Sequence, residues 1–486
     1  MVPRNVLFLF SDEHNRDLLG CYGDPHVRTP HLDRLAQRGT RFSNAYTNSP
    51  ICVSARASLA TGKYPHEISA WDSAAPYEGR PPSWGSQLVA DGHEVVSIGK
   101  LHYQKTRREN GFSREFMPMH VVKGVGWVQS LLRDPPIVQS GVEKMAGEAG
   151  VGESTYTAYD RAVADRACDW LKETAAIHRD KPWMLFVGLV APHFPLSAPE
   201  EFYSLYDPGA LPPPRLYDEA ERPRHPVIEA MRFSYDYDKY FDERTMKVAR
   251  AAYYALCSFL DAMIGKILCA LEDSGMADDT VVVYSTDHGD NMGNRGLWGK
   301  SVMYEDSVAV PMIMAGPGVP LGQAVETPVS LIDLPATFFE CLGASGGSAI
   351  GPGRSLFRFI ETEDPTRPVF SEYHDGGAIT GMFMLRCGRW KYIAYPGYPA
   401  QLFDLTDDPH EERDLGPDPA FTSVRANCDR KLREICDYET VNRTAFAEQE
   451  ARIAALGGRE AILATYDHGY TLPPTAHVAE KALTEP

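Results

Sequence analysis

The chain has no long apolar segment that reads as a membrane anchor. Its amino terminus offers only the run VLFLF at 6–10 before Ser11 and Asp12, shorter than the apolar region of a secretory signal. No later run reaches the length expected of a bilayer span. Paired cysteines are also missing: nine in 486 residues, an odd number and scattered, do not make a disulfide framework. Nor is there an excess of positive charge. Lys and Arg number 48 against 66 Asp and Glu, a formal net charge of -18, which argues against nucleic acid as the partner but leaves room for a local basic pocket around a small anion. These absences lead to the expectation of a cytoplasmic protein with neither a membrane nor a nucleic-acid partner. What is present is an ordinary globular composition, 43% hydrophobic and 23% charged, ample for a large core and against extensive disorder.

Continuous apolar runs at 6–10, 95–98, 184–190 and 281–284 have the pattern of strands buried on both faces of a parallel sheet. Helical segments alternate with them. The clearest is 245–273, where Val248, Ala252, Ala255, Phe259 and Met263 recur every three or four residues and Gly275 follows the end. Strand and helix in alternation predict an α/β sandwich with a mostly parallel sheet. The Gly- and Pro-containing stretch 343–353 breaks the pattern. Beyond it, β-type runs at 368–370, 382–385, 390–394 and 401–405 predict a small antiparallel sheet, followed by helix over 423–464 and an extended tail. The expected divisions are an α/β catalytic domain at 1–360, a small antiparallel-sheet subdomain at 361–422, and a helical extension with tail at 423–486.

Two of the predicted strands deliver acids at their carboxyl ends, where sites form in open α/β sheets: Asp12 with Glu13, and Asp287 with His288. Carboxylates and an imidazole gathered in one crevice repel unless a cation sits among them, and hard oxygen ligands with one imidazole suit Ca²⁺, Mg²⁺ or Mn²⁺. The competing reading, acids capping the next helix, is weakened because both pairs follow buried-type strands. A second feature is SPICVSARAS at 49–58, which puts Cys52 where a helix-prone stretch begins, four residues before Arg56. A buried structural thiol and a reactive group are both open readings at this point.

NVLFLFSDEHNRDLLGCY at 5–22, TPHLDRLA at 29–36, FSNAY at 42–46, CVSARASLATG at 52–62, GKLH at 99–102, APHFP at 191–195, DHG at 287–289 and GLWGK at 296–300 follow one another in order. This set resembles the sulfatases of the alkaline phosphatase superfamily, and KYI at 391–393 and LFDL at 402–405 fit as well. The resemblance implies an alkaline-phosphatase-like sandwich with a smaller carboxyl-terminal α+β subdomain, and metal-dependent hydrolysis of a sulfate ester. In that family a maturation enzyme oxidises the motif cysteine to formylglycine, whose aldehyde hydrates to a geminal diol. Carried onto this chain, Cys52 becomes the nucleophile and a ligand of one divalent metal, Ca²⁺ or Mn²⁺, beside Asp12, Glu13, Asp287 and His288. Arg56 then holds the diol or a ligand carboxylate, and Lys100 and Lys300 bind sulfate oxygens. His102 takes the diol proton, and His193 protonates the leaving-group oxygen. The chain departs from the family pattern at Ser54, where proline or alanine is usual, and this bears on conversion by the formylglycine-generating enzyme.

Within the family, RTAFAEQEARIAA at 443–455, the Asp-His pair and GLW at 296–298 look most like choline-sulfatase and related bacterial members. Phosphonate monoester or phosphodiester hydrolysis on the same site stays open, as does a non-enzymatic anion-binding member should Cys52 remain a thiol. A small-molecule sulfate is the expected substrate. A choline ester would call for an aromatic cage, with Trp71, Trp84, Trp127 and Tyr103 as candidates against the alternative that each is core. The amphipathic stretch 445–456 and the tail motif YTLPP at 470–474 are similar to extensions that pack across subunits in the resembling enzymes, so a homo-oligomer is expected.

Overall fold

The computed structural model describes residues 2–139, 141–177, 179–347, 350–465 and 471–474. Eight strands make the main sheet: β1 (Asn5–Asp12), β2 (Gly39–Phe42), β3 (Val95–Lys100), β4 (Arg114–Met119), β5 (Met184–Pro192), β6 (Thr280–Thr286), β7 (Met312–Ala315) and β8 (Gln323–Val325). Their spatial order is β8-β2-β7-β6-β1-β5-β3-β4. The central strand β1 pairs in parallel with β5 on one side and β6 on the other, and β3 is parallel to both β5 and β4. Only β7 runs against its neighbours β6 and β2. Both sheet faces are covered, as a parallel core requires. Phe8 and Phe10 pack with Trp84 and Phe338 on one face, while Leu7 and Leu9 pack with Val163, Phe259 and Ile264 on the other.

Three helices matter for the site. α1 (Cys52–Thr61) is short and entirely buried. α2 (Thr155–Ala175) starts at Ser154, whose hydroxyl accepts the Thr157 N–H. α3 (Glu243–Asp273) begins two residues before the apolar periodicity does, because the Asp242 side chain caps it by accepting the Thr245 N–H at 2.7 Å. α3 also corrects the expectation that no segment is long enough for a bilayer. At 31 residues it would qualify by length and composition, but its most apolar stretch is 78% buried inside the molecule.

The carboxyl-terminal part holds a four-stranded antiparallel sheet, β9 (Val369–Tyr373), β10 (Met382–Cys387), β11 (Trp390–Tyr395) and β12 (Tyr398–Asp404), in chain order. α4 (Thr422–Ile435) lies on it through Cys428 and Leu432 against Phe383 and Leu385. α5 (Tyr438–Ala455) and α6 (Arg459–Leu463) follow. α5 is tied back to the catalytic part by Gln449, which accepts from Arg133 at 2.8 Å and donates to Asp72 at 2.7 Å. Of the YTLPP tail motif, Tyr470 lies outside the described residues, as does 475–486.

Candidate active site

Because β1, β5, β6 and β3 are neighbours pointing the same way, their carboxyl ends deliver Asp12, His193, Asp287 with His288, and Lys100 with His102 to one edge of the sheet. This is where a doubly covered parallel sheet leaves a crevice. Two glycines let β3 and β5 close up there. Gly99 has φ of +99°, and a Cβ on it would sit 2.1 Å from the Gly188 carbonyl oxygen; one on Gly188 would sit 2.2 Å from that of Lys100. Cys52 is the first residue of α1, so the unpaired N–H groups of the first helical turn lie on its side of the crevice.

Four groups converge. Ligand atoms of Asp12, Cys52, Asp287 and His288 all lie within 4.8 Å of one another, every residue buried. His288 Nε2 is 3.4 Å and Lys300 Nζ 3.3 Å from Cys52 Sγ. Arg56 sits behind them, 2% exposed. Its Nε donates to Asp287 Oδ2 at 2.7 Å and its Nη2 to Asp12 Oδ2 at 3.0 Å, with further bonds to the carbonyls of Ser11 and Lys100. Lys100 Nζ reaches the same Asp12 Oδ2 at 2.7 Å. Oδ2 of Asp12 is thus held by two cations while Oδ1 faces Cys52 at 3.8 Å.

Glu13 goes elsewhere. It belongs to a second group with Asp12 and His193; its Oε2 is 3.0 Å from Lys300 Nζ and 3.4 Å from His193 Nε2, and its Oε1 is buried with no hydrogen-bond partner. Glu13 has φ of +66° and His102 of +56°, a left-handed conformation that non-glycine residues hold only where the surroundings impose it. For Glu13 the imposition is visible: Tyr253, on α3, donates its hydroxyl to the Glu13 carbonyl and accepts the Asn15 N–H. His193 donates through Nδ1 to the Phe194 carbonyl at 2.6 Å, leaving Nε2 toward Glu13. Among the described residues, neither ring nitrogen of His102 has a partner.

Burial pushes the Asp12 carboxyl up, but Lys100, His193 and Arg56 outweigh it and hold it well below the ordinary value. Burial dominates at Glu13, raised well above the ordinary value against the pull of Lys300. It also lifts Asp287 to about 6 despite Arg56. Burial, with Asp12 adjacent, pushes the Cys52 thiol up to about 12, so the unmodified thiol is almost wholly protonated near neutral pH and a weak nucleophile. Burial lowers His102, His193 and His288 well below 6.5. Two carboxylates and an imidazole nitrogen clustered around one sulfur suit a divalent cation.

The family model and the curated relatives agree on one family. The sulfatase family model matches residues 4–344. The chain belongs to the sulfatase family. A second model, for the carboxyl-terminal region of N-sulphoglucosamine sulphohydrolase, matches residues 293–437. Among curated relatives, choline-sulfatase of Rhizobium meliloti is 31% identical, the match covering 85% of this chain and 83% of that protein. Arylsulfatase K of Danio rerio is 30% identical, covering 90% and 85%. The phosphonate monoester hydrolase of Silicibacter pomeroyi shares the fold, with a TM-score of 0.72 at 24% identity over 89% of this chain and 94% of that one. So does a protein solved with D-glucosamine-2-N,6-O-disulfate, TM-score 0.72 at 20% identity over 92% and 98%. The protein is accordingly a sulfuric ester hydrolase built on the α/β sandwich of its family.

Sequence reasoning missed several residues that shape this sulfatase's site. Asp160, on α2, is fully buried, and its carboxylate accepts the N–H groups of Val190 and Ala191 at 2.7–3.1 Å, just before Pro192 and His193. The signal was present: Tyr156, Tyr159, Val163 and Ala167 make the buried face of α2, and Asp160 interrupts it. Asp290 accepts the N–H groups of Met292 and Gly299 and so shapes the loop ahead of Lys300. Of the candidate cage residues, Trp84 and Tyr103 are core, Trp71 donates to Glu448, and only Trp127 borders the cavity over Cys52.

Proposed function

We propose that this sulfatase converts a sulfate monoester and water to the free alcohol and sulfate, with Cys52 in its formylglycine form and one Ca²⁺ or Mn²⁺ ion held by Asp12, Asp287 and His288. The observation that supports this best is the convergence on Cys52 of a cation, Lys300, and an imidazole, His288, at 3.3 and 3.4 Å. The metal and the oxidised side chain supply, when present, a polarised sulfate and a strong oxygen nucleophile. The rest is done by the chain itself. Lys300, facing the cavity, pairs with a non-bridging sulfate oxygen, and Lys100 adds positive charge from behind Asp12. Arg56 fixes the orientation of Asp12 and Asp287 through its planar fork. His193, its Nδ1 proton held by the Phe194 carbonyl, passes through Nε2 to the departing alcohol oxygen the proton that the Glu13 carboxyl, 3.4 Å away and its pKa raised by burial, holds. His102, unpartnered at the cavity wall, accepts the proton released as sulfate leaves.

The test begins with mass spectrometry of the tryptic peptide between Arg41 and Arg56, from protein expressed with a formylglycine-generating enzyme. The expected result is the mass of the thiol-to-aldehyde change, showing that Ser54 is tolerated, together with sulfate ester hydrolysis that disappears in Cys52→Ala. An unmodified thiol in fully active protein, or a Cys52→Ala enzyme with undiminished turnover, refutes the reading. Faster cleavage of a phosphonate monoester than of the matching sulfate ester would move the chemistry to phosphorus on the same residues.

A further inference from the structure

Over Cys52 opens a cavity of about 410 Å³, the size of a chamber for a drug-sized molecule. Cys52, Lys300, His193 and His102 lie at one end. The walls are different in kind: Val121, Trp127, Val142 and Met145 from the segment between β4 and α2, and Leu456 and Ile462 from the carboxyl-terminal segment. That segment is fastened in place. Ile462 is 1% exposed against Leu131 and Leu132, Gln129 donates to the Thr465 carbonyl at 3.1 Å, and the Tyr156 hydroxyl donates to the Thr471 carbonyl. The family's catalytic end is thus closed by a mostly aliphatic wall.

Two polar groups in this wall find no hydrogen-bond partner among the described residues. Gln139 is 4% exposed, and neither its amide oxygen nor its amide nitrogen has a hydrogen-bond partner; the buried indole N–H of Trp127 has none either. A buried amide without partners is costly, and both residues border the cavity. A cationic alcohol would meet the ammonium groups of Lys300 and Lys123 in this lining, and the aromatic rings beside them, apart from Trp127, are packed on other rings. Tyr156 lies edge-on to His193 with centroids 5.8 Å apart. Phe194 stacks on His193 with centroids 4.2 Å apart and already carries the Lys300 ammonium 5.6 Å above its ring. Tyr235 and Tyr237 lie face to face on each other at 5.4 Å. Among the described lining residues the one carboxylate, Glu13, is paired with Lys300.

We propose that this chamber selects sulfate esters of a bulky, uncharged, mainly apolar alcohol that carries one neutral hydrogen-bonding group, which pairs with the Gln139 amide. The inference rests on the sulfatase reading of Cys52. Its test uses metal-loaded enzyme with Cys52 converted and two pairs of esters. The first pair is 3,3-dimethylbutyl sulfate and choline sulfate, equal in shape and different in charge. The neutral ester is expected to have a kcat/KM at least roughly tenfold higher, and equality or the reverse overturns the proposal. The second pair is 4-acetamidophenyl sulfate and phenyl sulfate, assayed with Gln139→Leu. The variant removes an unpaired amide, so its thermal midpoint should not fall. Its kcat/KM should drop roughly tenfold on the acetamido ester and stay within about twofold on phenyl sulfate; equal effects on both, or none, overturn the role of Gln139. Converted enzyme inert to all four esters would refute the hydrolase reading instead. Calorimetric binding of 4-acetamidobenzenesulfonate to that protein, tighter than to Gln139→Leu or not, then decides the chamber separately.

Discussion

Asp160→Asn tests whether a buried carboxylate outside the catalytic set both positions His193 and carries a pH-dependent cost. Asp160 is fully buried and accepts two backbone donors, Val190 N at 2.8 and 3.1 Å and Ala191 N at 2.7 Å. Asparagine has one acceptor oxygen, so one of these N–H groups is left facing an NH₂, at a cost of about 1–3 kcal/mol. Against that stands the charge. Burial raises the Asp160 pKa from 3.8 to about 7, although the two N–H donors and Lys100 oppose the shift. Between those values the folded chain holds a proton that the unfolded chain has released. The stability associated with Asp160 is therefore full below the unfolded value and falls as pH rises through the window toward 7. At about 1.4 kcal/mol per pH unit, the loss between pH 5 and 7 amounts to about 2–3 kcal/mol. Asparagine does not titrate. The variant should therefore be the less stable protein at pH 5 and should draw level with or pass the parent at pH 8. Urea unfolding followed by tryptophan fluorescence, in chelator at pH 5, 6, 7 and 8, measures the gap directly. A gap that stays constant within about 0.5 kcal/mol, the scatter of an ordinary surface substitution, refutes the reasoning. Because the same bonds set the chain just before His193, the variant should also lose more activity on alkyl sulfates than on 4-nitrophenyl sulfate.

Arg56→Ala strips the 2.7 Å partner from Asp287 and one of two cations from Asp12, so in chelator it should lose about 3–5 kcal/mol of unfolding free energy; a loss as small as that of a surface change would show that the fork is dispensable. His193→Ala should lower kcat roughly 10²-fold or more on an alkyl sulfate, whose alkoxide needs a proton, and far less on 4-nitrophenyl sulfate; equal losses would remove His193 from protonation of the leaving group. The carboxyl-terminal segment exposes Leu456, Leu463 and Leu472 at 37, 47 and 55%, and self-association at micromolar concentration is the expected result by sedimentation velocity. A monomer alone at that concentration would refute it.

Much of this sulfatase was legible in local pattern. The runs VLFLF and VVVY become the adjacent strands β1 and β6 because an apolar stretch of that length is satisfied only by burial on both faces. The acids that follow those strands arrive at one edge because parallel strands place all their carboxyl ends together. Cys52, Arg56, Lys100, His102, His193 and Lys300 could be named from ordered motifs, and they do meet around the one crevice. What the motifs could not give is which neighbour each side chain takes. Asp12 and Glu13 are consecutive and chemically alike, yet the left-handed turn at Glu13, held by Tyr253 from α3, sends one carboxylate to Cys52 and the other to Lys300 and His193. The motif that names Lys100 likewise does not record that its ammonium lies 2.7 Å from Asp12 Oδ2. The chamber was out of reach altogether: Gln139, Trp127 and Ile462 come together across more than 300 residues of chain, and no periodicity records such contacts. Local sequence determined the strands and the chemical groups at their ends; long-range packing alone decided their partners, their ionisation and the shape of the space in front of them, because each depends on atoms contributed by distant segments.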